Sequence, residues 1–142
     1  MLFRSGKPTS IFVDESPIGV GAVLTQKDES ANEVMPLHYA SCPLTPSQPR
    51  YPQIDRKSLP IYWAVKRFHL FVYGNEFKVV TDHKPLVTLF NNPASKPSAR
   101  IERWLMVLQQ YRFTVDYPPG AANPADYASD TQLEILNLRT TK

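Results

Sequence analysis

The sequence holds a single cysteine, Cys42, in 142 residues. An internal disulfide framework is therefore excluded, and an intracellular setting is expected. No run of 18 apolar residues occurs, so no membrane-spanning helix and no membrane partner are expected. The opening MLFRSGKP lacks the apolar core of a signal peptide. Internal repeats and a clear linker are also missing. The chain starts at Met1 close to the first strand, as expected of a gene fragment or an isolated open reading frame.

What is present fits one soluble domain. The length suffices for one core and is too short for two ordinary domains. Residues 1–130 are expected to form that domain, with 131–142 a tail of weak boundaries. The 14 prolines are scattered and mark turns and element ends. Net charge is +3 and the isoelectric point is near 9.0, which is compatible with a polyanionic partner.

Patterning gives the elements. TSIFVD (9–14) and VGAVLTQ (20–26) are β-rich runs close enough for a hairpin. VMPLHYAS (34–41) is a third strand. Apolar residues at Ile61, Ala64, Val65, Phe68 and Phe71 have helical spacing, and Gly74 suits the stop. EFKVVTD (76–82) is a strand, Pro85 to Phe90 a short helix. Ser95 and Pro97 are expected to open another helix, with Ile101, Trp104, Leu105 and Leu108 as its apolar stripe. RFTVDY (112–117) is the fifth strand, and Asn123 and Pro124 start a last short helix. The class is α/β, a mixed sheet with helices packed on it.

Three acids end or begin elements. Asp14 closes the first strand, Asp82 closes EFKVVTD, and Asp126 lies in the first turn of the last helix, where the dipole favours an anion. Alternation puts Asp14 on a face with Phe12 and Ser16, and Glu15 on the other with Ile11 and Val13. Aspartates at element ends commonly serve as turn formers or caps. Converging, they would suit Mg²⁺, which prefers carboxylate oxygen, and two such ions are a device for phosphodiester hydrolysis.

Longer stretches decide between these readings. FVDESPIGVGAVLTQ, PLHYASCPLTPSQPRYPQIDRKSLPIYWAVKRFHLFVYGNEFKVVTDHKPL and RIERWLMVLQQYRFTVDYPPGAANPADYASD together resemble the ribonuclease H domain of reverse transcriptases of Ty3/gypsy-class LTR retrotransposons. TDHKPL, and NPADYAS after a PG turn, are the most specific parts. The resemblance implies a ribonuclease H-like fold: a five-stranded mixed sheet, first three strands antiparallel, flanked by helices. It implies cleavage of the RNA strand of an RNA–DNA hybrid with Mg²⁺ or Mn²⁺ on four carboxylates, and a parent reverse transcriptase as partner. Asp14 matches the aspartate of a TDAS element that here reads VDES. Asp82 matches the aspartate of TDHKPL, and Asp126 that of the last element.

The fourth carboxylate does not carry over. Aligning LPIYWAV with the apolar run that follows the family's glutamate puts Lys57 at that position. Asp55 is two residues away, about 200° round a helix, and faces elsewhere. Lys57 shares the stripe of Ile61, Ala64 and Phe68. Pro60 suggests a helix starting near Leu59, with Lys57 on a loop before it. Three aspartates and Lys57 carry a formal charge of −2, which matches one Mg²⁺ at most. A charged lysine offers donors only and cannot ligate a cation. Two placements follow for its amine: among Asp14 and Asp82 as a counter-ion, or snorkelled to solvent.

Lys84, and Lys96, Arg100 and Arg103 at the opening of the Trp104 helix, form a basic row suited to phosphate contacts, or a solvated helix face. Trp63 and Trp104 read as core or rim. His38 and His69 show no metal-ligand spacing. Two functions are carried forward: a ribonuclease H domain with activity weakened or lost at Lys57, and an inert, decayed or host-adopted module that binds nucleic acid or protein.

Overall fold

Alternation along the first strand sends Ile11 and Val13 inward, and both are buried, while Phe12, Asp14 and Ser16 are half-exposed. The computed structural model describes residues 3–28 and 30–118. Its strands are β1 (Thr9–Ser16), β2 (Gly19–Asp28), β3 (Glu33–Pro43), β4 (Glu76–Val80) and β5 (Arg112–Asp116). Its helices are α1 (Gln53–Arg67), α2 (His69–Val72), α3 (Pro85–Asn91) and α4 (Ala99–Leu108).

The five strands make one sheet in the order β3-β2-β1-β4-β5. The β1–β2 and β2–β3 pairs are antiparallel, and β1–β4 and β4–β5 are parallel. This is the mixed sheet expected from the sequence. Pro36 sits inside β3 because that strand is an edge, where a missing N–H is tolerated. A bulge at Leu24/Thr25 adjusts the register opposite it. At the β1–β2 turn, a side chain on Gly19 would meet the Cys42 carbonyl at 2.8 Å.

The core lies between the sheet and α1. Ile11 opposes Leu24 and Val79, and Val13 opposes Ala22, so these side chains share one face. Ile61, Ala64 and Val65 of α1, with Phe68 at its C-terminal cap, pack in one core with them, as their spacing predicts. Asn91 fixes α3 to the outer strand by accepting from the Val115 N–H at 3.0 Å and donating to its carbonyl at 2.8 Å.

Three boundaries differ from expectation. Helix α1 begins at Gln53, so Lys57 is helical and Pro60 lies inside the helix rather than at its start. The apolar run from Ile61 to Phe71 is not one helix: it breaks at Phe68, and the short α2 that follows ends at Val72, two residues before Gly74, whose φ of +85° favours glycine. The α4 cap is Ser98, not Ser95: its Oγ accepts from the Ile101 N–H. The last short helix, the tail and Asp126 lie outside the described residues.

Candidate active site

Strand register brings the first two acids to one place. In the parallel β1–β4 pair, Phe12 opposes Val80. Asp14 and Asp82 each lie two residues further on, so they reach the same end of two neighbouring strands. Adjacent strands are roughly 4.8 Å apart, so the two acids follow neighbouring strand positions. Asp14 is half-buried and Asp82 is exposed. The turn after β4 is held by buried Thr81, whose N–H donates to the Asp116 carbonyl at 3.0 Å and whose Oγ accepts from the His83 N–H at 3.2 Å. Lys84 is then the residue at the N-terminal boundary of α3.

The position expected to hold a glutamate is a cation bound to an acid. Lys57 Nζ lies 3.3 Å from Glu15 Oε2, and Arg56 Nε lies 2.9 Å from Glu15 Oε1. The Glu15 side chain is only 8% exposed and that of Lys57 23%. Lys57 is therefore not the solvent-directed lysine that snorkelling suggests. Its amine is engaged on the α1 side of β1, by Glu15, rather than by Asp82 or the face that carries Asp14. Alternation had placed Glu15 on that inner face but had given it no partner.

Asp55, two residues before Lys57, is buried to 1% and has a separate task. It accepts from Arg100 Nη1 at 2.6 Å and from Ser98 Oγ at 3.0 Å. The Arg100 guanidinium also stacks 3.7 Å over the Tyr51 ring. Of the basic row, Arg100 thus turns inward to join α4 to α1, whereas Lys84, Lys96 and Arg103 are exposed. Trp104 is half-buried and stacks on Tyr62 at 5.3 Å, so it is rim rather than a free platform. His69 Nδ1 meets the Tyr111 hydroxyl at 2.5 Å. No group of three or more His, Cys, Asp or Glu side chains among the described residues could hold a metal ion. Asp14 and Asp82 are the two expected site acids among the described residues; Asp126 lies outside them.

Residues 4–111 match the family of RNase H-like domains found in reverse transcriptases. The chain belongs to this family. The RNase H-like domain is 34% identical over 122 residues to the retrovirus-related Pol polyprotein from transposon 297 of Drosophila melanogaster, covering 85% of the chain and 11% of the relative. It is 31% identical over 123 residues to the transposon Tf2-3 polyprotein of Schizosaccharomyces pombe, covering 85% of the chain and 9% of the relative. The chain thus spans about a tenth of the length of these relatives. They place it as the RNase H domain of a Ty3/gypsy-type retrotransposon reverse transcriptase.

Solved structures agree on the fold of this RNase H-like domain. RNase H1 from the halophilic archaeon Halobacterium salinarum superposes with a TM-score of 0.56 at 8% identity, over 82% of this chain and 89% of that one. The foamy viral protease-reverse transcriptase in complex with RNA/DNA hybrid gives 0.57 at 18% identity, over 81% of this chain and 16% of that one.

Proposed function

We propose that this domain is a retrotransposon RNase H module that binds RNA–DNA hybrid and cleaves it weakly or not at all. The observation that carries the reading is the ion-paired lysine at position 57, the place where the family pattern has a metal-binding glutamate. The RNase H-like fold generally uses divalent metal ions. In this chain the oxygen donors left for Mg²⁺ or Mn²⁺ are Asp14, Asp82 and Asp126, enough for one ion at most. A lysine ammonium adds no donor oxygen, and here it is engaged by Glu15.

Binding is supported separately from cleavage. Lys84, Lys96 and Arg103 are exposed cations, and phosphate contacts of this kind require no particular base sequence. A solved relative in fold, LC11-RNase H1, is described in complex with RNA/DNA hybrid. The test pairs two measurements on the 142-residue chain. Fluorescence anisotropy with a labelled hybrid is expected to show salt-sensitive binding. A gel assay of the same hybrid with Mg²⁺ or Mn²⁺ is expected to show little or no cutting. Efficient metal-dependent cutting that Asp14→Asn abolishes would refute the reading.

A further inference from the structure

We infer that the lost acid at position 57 is one half of a two-residue charge exchange, and that Glu15 is the positioning residue that holds the other half. The inference rests on the proposed reading of position 57 and names what keeps it in its present state.

Two positions near the strand-end acids depart from the motifs quoted above. VDES carries Glu15 where TDAS has alanine, and position 57 carries lysine. They are 42 positions apart in sequence, yet their side chains touch at 3.3 Å. The Glu15 carboxylate is mostly buried between β1 and α1, and both of its oxygens are engaged, one by Arg56 and one by Lys57. A carboxylate so placed requires compensation by cations, and Lys57 supplies it at the oxygen that Arg56 does not engage. The converse also holds. Lys57 lies on the inner stripe of α1, where an amine without an acid would be left partly desolvated.

This has a consequence for reversal. Putting glutamate at position 57 alone sets a second carboxylate against the buried Glu15. Like charges at this separation disfavour the ionised pair. Among the described residues Arg56, 2.9 Å from Glu15, remains as a cation, and the new carboxylate would be drawn to it rather than to the Asp14–Asp82 end of the sheet. Removing Glu15 at the same time frees both Arg56 and the space between β1 and α1. The new acid can then extend towards the strand end. Position 15 therefore decides whether an acid at position 57 serves the site.

The probe is Mn²⁺ alone, titrated calorimetrically into the full chain, into Lys57→Glu, and into Glu15→Ala/Lys57→Glu, with a thermal melt of each. The double variant is expected to bind Mn²⁺ at least about tenfold tighter than the unmodified chain, and Lys57→Glu to stay within roughly threefold of it. If Lys57→Glu binds as tightly as the double variant, the coupling to Glu15 is overturned and the reading of position 57 stands. If the folded double variant binds no tighter than the unmodified chain, position 57 is not the missing donor and both fail. Should the alanine variant melt below the working temperature, Glu15→Gln/Lys57→Glu replaces it with the same expectations. A stability cycle on Glu15→Gln and Lys57→Met gives a metal-free check: the two losses are expected to be less than additive, and simple additivity would overturn the pairing.

Discussion

Asp55 on α1 and Arg100 on α4 meet at 2.6 Å across 45 residues of sequence, with the aspartate almost wholly buried. Ser98 joins them: its hydroxyl donates to Asp55 and accepts from the Ile101 N–H, so one side chain caps α4 and ties it to α1. Breaking a buried pair by removing one partner typically costs more than the pair's net worth, because the survivor stays desolvated. Arg100 is one-third exposed, which softens that cost. Asp55→Ala is expected to lose roughly 2–4 kcal/mol of stability in urea denaturation. A loss below about 0.5 kcal/mol would show the pair to be incidental.

The exposed cations and Arg100 should separate in a binding experiment. Lys96→Ala and Arg103→Ala are each expected to weaken hybrid binding a few-fold and to lower the salt slope by about one unit, with melting unchanged. Arg100→Ala is expected to do the reverse: a lower melting temperature and an unaltered slope. Equal slopes for all three variants and the unmodified chain would remove these residues from the interface.

Pro60 lies eighth in α1 and cannot donate to the Arg56 carbonyl as a helical residue would. Its ring is buried, so part of its cost is offset by apolar contact. Pro60→Ala is expected to raise stability by about 1–2 kcal/mol, less than the full proline penalty because buried carbon is lost. A decrease would mean that the ring's packing outweighs the missing hydrogen bond.

Burial pushes the Tyr111 hydroxyl above its ordinary value near 10, against a smaller opposing effect of Lys66. The folded chain thus holds this proton more tightly than the unfolded chain. The associated stability is complete below about pH 10 and is lost as pH rises through the folded-state value. Urea midpoints are expected to fall above that pH, and Tyr111→Phe to flatten the fall while costing the His69 hydrogen bond at neutral pH. An unchanged alkaline slope in the variant would assign the effect to other groups.

Much of the fold was legible because its signals are local. Period-two alternation put Ile11 and Val13 inward and Asp14 on the other face, and the α1 stripe was readable from Ile61 to Phe68. The parallel β1–β4 pairing sets Asp14 and Asp82 each two residues beyond the Phe12–Val80 pair. The errors came where a local signal had two uses. Pro60 reads as a helix start, but tertiary packing carries α1 seven residues upstream of it. Ser95 and Ser98 flank Pro97 and look alike as caps; Asp55, 43 residues from Ser98, favours the second. Arg100 counts as a surface charge until its buried acid is known. Glu15 gave one usable hint, an acid on an inward-facing position, which demands a cation from elsewhere.

The most direct measurement is cleavage of an end-labelled RNA–DNA hybrid with Mg²⁺ and with Mn²⁺. The unmodified chain, Asp14→Asn and Glu15→Ala/Lys57→Glu would be compared side by side. The account predicts little or no cutting by the first two and cutting at least about 100-fold faster by the double variant. Efficient cutting by the unmodified chain that Asp14→Asn abolishes would contradict it, and would mean that the remaining aspartates suffice beside the Glu15–Lys57 pair.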